Sequence, residues 1–198
     1  MNKRRGRPPR GSADGRERIL AAAGPLLLAN GYQRTTLRAV ADRAECDVAL
    51  ISYHFGSKKG LFARAMALEV APSAVLEAAL PGDPATLGER LMPRVVAVWE
   101  RPEFTHALAD LVRLALADED VRNTFIEYID KELRERLVEY FGGVEGPARA
   151  TALLTLVIGS IFGRYVLQIP GLASQDARTF VQALSPVARA ASALRRGP

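Results

Sequence analysis

Residues 35–62, TTLRAVADRAECDVALISYHFGSKKGLF, hold two short helical patterns separated by about three residues. The threonine pair at the start of this stretch can cap a helix over residues 37–44, because a threonine hydroxyl accepts a hydrogen bond from a free N–H of the first turn. Asp47 can cap the next helix, residues 48–55, in the same way. Two short helices joined by a turn of this length predict a helix-turn-helix unit.

The second helix of this pair has one apolar side and one mixed side. Leu50, Ile51 and Phe55 can be buried against the preceding helices. The outward positions are then Val48, Ala49, Ser52 and Tyr53. Such a helix can lie in the major groove, where small apolar side chains contact thymine methyls and hydroxyl groups donate to bases or phosphates. Pure packing is the alternative for Tyr53.

The composition argues against several other classes of protein. The chain has 198 residues, of which 48% are hydrophobic and 25% charged, as in a globular protein. One cysteine cannot form an internal disulfide, and two widely separated histidines give little support for a zinc site. No apolar signal segment follows the basic N-terminus, and the apolar run at residues 150–163 is shorter than the roughly 20 residues that span a membrane. We therefore expect a cytoplasmic protein with no cofactor, no metal and no membrane association.

The charge of the chain is unevenly distributed. Residues 1–60 hold 12 basic and five acidic side chains, whereas residues 61–198 hold 15 basic and 17 acidic ones. A basic segment beside a nearly neutral one indicates a polyanionic partner for the first segment only. A solvated basic tail is the alternative interpretation.

The chain divides into three parts. Residues 1–13 are basic and rich in glycine and proline, so we expect a disordered arm. Residues 14–60 contain three helices, and residues 61–198 show helical periodicity without the alternation that indicates strands. The helices expected after residue 57 cover residues 58 to 76 or 80, 85–99, 103–117, 120–140, 147–168, 174–184 and 186–195. The predicted fold is all-α, with an N-terminal three-helix helix-turn-helix DNA-binding domain and a C-terminal helical bundle for ligand binding and dimerisation.

The arm contains a second candidate for DNA binding. Its Arg-Gly-Arg-Pro sequence, residues 5–8, resembles the core of an AT-hook. A narrow A·T minor groove has a strong negative potential that attracts arginine side chains, so Arg5 and Arg7 could enter it. A solubilising tail is the alternative.

The residues from TTLR to YHFGSKKGLF resemble the DNA-binding signature of the TetR/AcrR family of transcriptional regulators. The match covers roughly residues 14–64 and includes the YHF-x-SK-x-x-LF pattern at the exit of the motif. Residues 159–173, GSIFGRYVLQIPGLA, are similar to one actinobacterial-type subset of the family. The resemblance implies a regulator whose DNA binding changes when an effector binds to its C-terminal part and pivots the fourth helix.

The resemblance also implies roles for individual residues. At the start of the second helix, Thr36 and Arg38 stand at the positions that contact the DNA backbone and bases. The groove-facing positions of the third helix are Val48, Ala49, Ser52 and Tyr53. His54 and Lys58, at and after the end of that helix, stand at the positions that contact phosphates. Lys58 begins a further helix, whose free N–H groups can join its ammonium in binding a phosphate. His54 has an alternative interpretation as a partly buried core residue.

Two positions in the motif depart from the family pattern. Glu45 stands where the family usually has a glycine, so we expect a turn that is strained or differently shaped. Asp47 stands where serine or threonine is common. An aspartate caps a helix well, but its charge repels phosphate, so we do not expect Asp47 to increase DNA affinity.

The C-terminal part offers a candidate dimer interface. The helix expected at residues 147–168 is apolar over more than half of its circumference, so it must be covered on both sides. A two-fold dimer would provide that cover and place two DNA half-sites about 34–36 Å apart. The predicted interface residues are Leu154, Ile158, Ile161, Tyr165, Val187, Ala191 and Leu194. A fully internal helix is the alternative.

The middle helices are candidates for a mostly apolar ligand pocket. The predicted ligand contacts are Trp99, Phe104, His106, Phe125, Tyr128 and Tyr165, and ordinary core packing is the alternative for each. Arg164 is a charge inside an apolar helix. We expect it to pair with an internal carboxylate or carbonyl rather than with an anionic ligand.

These features predict a ligand-responsive transcriptional regulator, a repressor, that binds a palindromic operator as a homodimer and is released by an unknown small-molecule effector. The sequence contains no nucleophile elbow, phosphate loop, metal-ligand cluster or carboxylate pair, so we do not expect an enzyme. A nonspecific DNA-coating protein that uses its basic AT-hook-like arm is the alternative function.

Overall fold

Three helices form the N-terminal part of the molecule, which we call the head. The computed structural model describes residues 11–70 and 72–195. The helices of the head are α1 (Gly11–Arg34), α2 (Leu37–Arg43) and α3 (Val48–Phe55). The predicted third helix has the predicted bounds, whereas residues 11–13, expected in the disordered arm, already belong to α1.

The remaining helices form the body. They are α4 (Lys58–Val70), α5 (Pro72–Ala79), α6 (Leu87–Trp99), α7 (Pro102–Ala117), α8 (Glu119–Tyr128), α9 (Glu135–Phe141), α10 (Gly146–Ile161), α11 (Pro170–Ala173) and α12 (Ala177–Ser192). A 3₁₀ turn, Pro84–Thr86, precedes α6, and two π-helical segments, Ile129–Arg134 and Phe162–Val166, follow α8 and α10. Residues 11–70 and 72–195 contain no β-strand, so the predicted all-α fold is confirmed.

Two apolar cores hold these helices together. The first core joins the head to α4 and α7, and its fully buried residues include Ile19, Ile51 and Phe62. The second core lies between α5, α6, α9, α10 and α12, and it includes Met92 and Leu153. The head is therefore not an isolated unit, because its core continues into the body.

One pair of predicted helices is joined in the structure. The helix expected from residue 58 to 76 or 80 corresponds to α4 and α5, which lie on the two sides of residue 71, a position outside the described residues. The two helices expected at residues 174–184 and 186–195 are instead the single α12, which contains Pro186. Burial of Phe180 and Ala188 on the two sides of this proline offsets the missing hydrogen bond.

The helix Gly146–Val166, which consists of α10 and the π-helical segment after it, is 21 residues long and apolar enough to cross a membrane. It packs against α6, α9 and α12. Arg164, near its end, is buried and ion-paired within the protein. We therefore interpret it as a helix of the bundle, which has the same length and composition as many core helices.

Candidate DNA-binding surface and ligand cavity

Side-chain caps at both helix starts hold the helix-turn-helix together. The Thr36 hydroxyl accepts a hydrogen bond from the N–H of Ala39 at 3.1 Å, and the Asp47 carboxylate accepts one from the N–H of Ala49 at 2.7 Å. Glu45 in the turn has a φ of 51°, a left-handed conformation that glycine adopts freely but that costs other residues about 1 kcal/mol. The expected strain at Glu45 is therefore present, and the two helices still form.

Six of the predicted DNA contacts are exposed on α2 and α3. They are Thr36, Arg38, Val48, Ala49, Ser52 and Tyr53. Tyr53 is the most exposed large apolar or aromatic residue of α3, at 80%, whereas Ile51 and Phe55 on the opposite side are buried in the first core. α3 therefore has the two faces that its sequence pattern predicts.

The other predicted DNA contacts are placed differently. His54 is half-buried, and its Nε2 atom is buried without a hydrogen-bond partner among the described residues. This atom faces α1 at Gly15, so it points toward the head core rather than toward a phosphate on the surface. The geometry thus favours the alternative interpretation of His54. Arg5 and Arg7 lie outside the described residues.

Lys58 begins α4 and is held against the end of α1. Its Nζ donates to the carbonyl oxygen of Gln33 at 3.2 Å and lies 4.5 Å from the centre of the Tyr32 ring. Partial burial lowers the pKa of Lys58. The ammonium has three N–H donors, so it could contact a phosphate, a stronger acceptor, while it keeps the bond to this carbonyl.

Lys59, the next residue, connects the start of α4 to α8. Its Nζ donates to Oδ2 of Asp118 at 2.5 Å, while Oδ1 of Asp118 caps α8 by accepting from the N–H of Val121 at 3.1 Å. The hydrogen bond between the two side chains raises the pKa of Lys59 and lowers that of Asp118. Because α4 follows α3 directly, this ion pair links the DNA-binding surface to α8. The sequence did not suggest this pair, since its members are 59 residues apart.

A cavity of about 170 Å³ lies in the body. Its described walls come from α5 to α10 and from both π-helical segments. The lining residues are Pro72, Val75, Leu76, Leu91, Val95, Val98, Trp99, Val112, Phe125, Ile129, Leu133, Leu137, Leu154, Val157, Ile158, Ile161, Phe162 and Val166. Their side chains are apolar except for the indole N–H of Trp99.

The cavity includes only some of the predicted ligand contacts. Those that line it are Trp99 and Phe125. Phe104 is instead buried in the first core, and the Tyr128 hydroxyl accepts a hydrogen bond from a backbone N–H of α5. Tyr165 stacks on Trp99 from outside the cavity, with 5.3 Å between ring centres. The side chain of His106 lies outside the described part of the chain.

The two π-helical segments supply wall residues that the sequence reading missed. Ile129 and Leu133 come from the first segment, and Phe162 and Val166 come from the second. Such segments widen one turn of a helix and occur frequently at functional sites. No periodicity reveals them, whereas the apolar stripe of α6 could have indicated Val95 and Val98.

Arg164 is buried beside the cavity, and its charge is fully engaged. Its Nη2 donates to Oε1 of Glu100 at 2.8 Å and to the carbonyl of Gln175 at 2.8 Å, and its Nη1 donates to the carbonyl of Leu172. The Tyr165 hydroxyl donates to the same Glu100 oxygen at 2.8 Å. The expected pairing of Arg164 with a carboxylate and with carbonyls is confirmed.

This network fixes two protonation states. Burial raises the pKa of Glu100, but the hydrogen bonds from Arg164 and Tyr165 outweigh it and hold the pKa below its usual value of 4.5. Burial and the bond to Glu100 raise the pKa of Tyr165 to about 12. At neutral pH, Glu100 is therefore charged and Tyr165 is neutral.

α10 and α12 lie side by side and expose part of the predicted dimer interface. Ile158, Val187 and Leu194 are 48%, 52% and 40% exposed. Among the described residues, nothing lies within 4 Å of a Cβ placed on Gly159, so another helix could approach closely there. The other predicted interface residues contact this chain itself: Leu154 and Ile161 line the cavity, and Tyr165 and Ala191 are buried.

A helix-turn-helix with an outward α3, joined to a helical body that contains an apolar cavity, is typical of a DNA-binding transcriptional regulator. The sequence agrees with this class over most of its length. Residues 19–65 match the family described as bacterial regulatory proteins, tetR family, and residues 85–191 match the tetracyclin repressor-like C-terminal domain. The chain belongs to the TetR family of transcriptional regulators.

Solved structures share this fold. A TetR-family regulator from Streptomyces coelicolor A3 is 28% identical, with a TM-score of 0.62 over 94% of this chain and 99% of that one. The multidrug binding protein EbrR, complexed with imidazole, is 21% identical, with a TM-score of 0.64 over 94% and 97%. NalD, the secondary repressor of the MexAB-OprM multidrug efflux pump in Pseudomonas aeruginosa, is 23% identical, with a TM-score of 0.58 over 91% and 97%. No match was found among curated proteins.

Proposed function

We propose that the protein is a homodimeric repressor that binds a palindromic DNA operator and releases it when a small molecule occupies the cavity. The observation that carries the proposal is the physical connection between the DNA-binding surface and the cavity wall. The start of α4, directly after α3, is bound through Lys59 to Asp118. Asp118 caps α8, and Phe125 of α8 lines the cavity.

In this mechanism, the occupant displaces α8, and the Lys59–Asp118 ion pair transmits the displacement to α4. The two α3 helices of a dimer must enter major grooves about 34–36 Å apart, so a small pivot of each head reduces their fit. Typical coupling energies of about 1–3 kcal/mol change affinity roughly 5–150-fold, which is sufficient for a switch.

The proposed dimer uses the exposed face of α10 and α12. Ile158 on α10, Val187 on α12 and Leu194, which follows α12, are apolar and exposed, and Gly159 on α10 leaves room for a close approach. An exposed apolar face of this kind is typical of a protein–protein interface. Two structural relatives, a multidrug binding protein and a repressor of an efflux pump, also support a repressor that responds to small molecules.

Selection from a random pool of duplex DNA with the full-length protein tests this proposal. We expect enrichment of a two-fold symmetric site that binds at least about a thousandfold more tightly than scrambled DNA. Light scattering should give twice the 21.5 kDa chain mass. An affinity ratio near one would instead support the nonspecific DNA-coating function, and a monomer would refute the dimer.

A matched pair of variants tests the role of α3. Tyr53→Ala removes an exposed side chain of α3, the helix proposed to enter the major groove, and should weaken operator binding by about tenfold or more. Leu116→Ala removes a side chain that is 61% exposed on α7 and should leave operator binding unchanged. Equal effects of the two substitutions would contradict the assignment of α3.

A further inference from the structure

The chemistry of the cavity restricts what can occupy it. The described lining side chains are apolar except for the indole N–H of Trp99, and three of them, Trp99, Phe125 and Phe162, are aromatic. A ligand in this space therefore finds mainly dispersion and ring contacts, and the described side chains offer it no charge and no hydrogen-bond acceptor. A polar or charged group would lose its hydration without compensation.

The charges of Glu100 and Arg164, next to the cavity wall, are already paired with each other. Glu100 directly follows Trp99, but its Oε1 atom already accepts hydrogen bonds from Arg164 and from the Tyr165 hydroxyl. Arg164 also donates to two backbone carbonyls, so its guanidinium is satisfied inside the protein. A cation at Glu100 would have to share its charge with Arg164 and Tyr165, and an anion at Arg164 would have to compete with Glu100 and with two backbone carbonyls.

The volume sets the size of the occupant. A cavity of about 170 Å³ is close to the engineered cavity of about 150 Å³, lined by aliphatic and aromatic residues, that stays dry and binds benzene. A molecule with one six-membered ring and a short apolar substituent fits this volume. Larger compounds would extend through the open side of the cavity, where Ile158 is 48% exposed, or would require movement of the walls, which include the π-helical segments Ile129–Arg134 and Phe162–Val166.

We infer that the effector is a small, uncharged, apolar molecule of about one aromatic ring. This inference rests on the proposed function, because it identifies the chemical class of the molecule that releases the operator. It excludes organic cations and carboxylates of the same size. Selectivity arises because the described wall has no counter-ion to offer and because the charges beside it already neutralise each other.

A series of three one-ring probes tests the inference on the full-length protein. Toluene is uncharged, whereas benzylammonium and benzoate have nearly the same shape and carry opposite charges. Thermal melting at increasing probe concentration gives the affinities, since a ligand that binds the native state raises its stability. We expect toluene to raise the melting temperature and the two ions to bind roughly tenfold or more weakly. Equal or tighter binding of either ion would overturn the inference.

Filling the cavity locates the binding site. Val157→Phe adds bulk to the cavity wall on α10, Val98→Phe does so on α6, and Val144→Phe adds the same bulk to an exposed residue between α9 and α10. Toluene should stabilise only the Val144→Phe variant, and a folded cavity variant that keeps the full toluene response would refute the location. If one cavity variant fails to fold, the other variant still tests the location of the site. The three-probe series uses the wild-type protein, so it does not depend on either variant.

Operator affinity measured in the same samples separates this inference from the proposed function. Toluene should weaken operator binding by about fivefold or more, and the two ions should not at equal concentration. Operator recognition without toluene binding would overturn only the assigned ligand class. Toluene binding without any change in operator affinity would overturn the assignment of toluene-like molecules as effectors. If the ligand-free protein did not recognise any specific DNA site, the proposed function itself would be overturned.

Discussion

Replacement of Glu100 by alanine removes the carboxylate that pairs with the buried Arg164 and should destabilise the body. Removing one partner of a fully buried ion pair costs about 3–5 kcal/mol, because the other charge is left unpaired. Here Arg164 is 5% exposed but Glu100 is 40% exposed, and two carbonyls remain bound to the guanidinium. We therefore expect a smaller loss of about 2–3 kcal/mol in the free energy of unfolding.

Glu100→Gln separates the charge from the hydrogen bonds. The amide oxygen of the glutamine can still accept hydrogen bonds from Arg164 and Tyr165. The variant therefore loses only the extra strength that a negative charge gives to these hydrogen bonds, about 1 kcal/mol in the free energy of unfolding. Urea unfolding at pH 7 and fixed protein concentration measures both variants, since the stability of a dimer depends on concentration. Glu127→Ala, which breaks an exposed ion pair with Lys131, is the control and should leave the midpoint nearly unchanged. If Glu100→Ala were no more destabilising than this control, the network would not hold the body together as described.

The pH dependence provides an independent check of the same network. The pKa of Glu100 is lower in the folded protein than its usual value of 4.5, so the folded state favours the charged form. The stabilisation is therefore fully present above pH 4.5 and is lost as the pH falls through the folded value. The stability difference between the wild type and Glu100→Gln should shrink in that range, and a difference independent of pH would contradict the assignment.

Three further predictions follow from other contacts. Lys59→Met keeps the aliphatic stem of the side chain but loses the ion pair with Asp118. Toluene should still raise the melting temperature of this variant, but it should change operator affinity less than in the wild type. If toluene weakened operator binding as much as in the wild type, the Lys59–Asp118 pair would not be the coupling element. Gly60→Ala places a Cβ against the carbonyl oxygen of Phe55, so the connection between α3 and α4 must shift. We expect urea unfolding to show a loss of about 1–3 kcal/mol in the free energy of unfolding, and fluorescence anisotropy to show weaker operator binding. The pKa of Tyr165 is raised to about 12, whereas an unfolded tyrosine titrates near 10, so the free energy of unfolding should fall between about pH 10 and 12. Tyr165→Phe should remove this part of the pH dependence, as measured by urea titrations across the same range.

Local signals in the sequence are sufficient to predict the head. Asp47 caps α3 as expected, and the spacing of Ile51 and Phe55 determines which side of that helix is buried. Each of these features depends on residues within one or two helical turns. The outward position of Tyr53 then follows from the helical period alone.

The cavity could not be predicted in the same way. An apolar residue at helical spacing looks the same in a sequence whether it faces a filled core or an empty space. Trp99 and Phe125 line the cavity, but Tyr165 does not, because its hydroxyl is bound to Glu100 on the other side of the Trp99 ring. Arg164 could be recognised as a charge that needs a partner, but the identity of that partner, 64 residues away, depends on the tertiary fold.

The arrangement of the two cores explains how a small occupant could affect DNA binding at a distance. The first core joins the head to α7, and the second joins α10 and α12, which carry the proposed dimer face. Val95 and Ile161 pack against both cores and also line the cavity, so the cavity lies at the boundary between them. An occupant at this boundary contacts residues that pack against both cores, so its binding favours the relative arrangement of the cores that packs best around it, and the first core shifts relative to the second. In the proposed dimer, the second cores of the two subunits are fixed to each other, and the shift must appear as a change in the distance between the two α3 helices. A toluene complex of the dimer with an unchanged α3–α3 distance would show that the coupling takes another route.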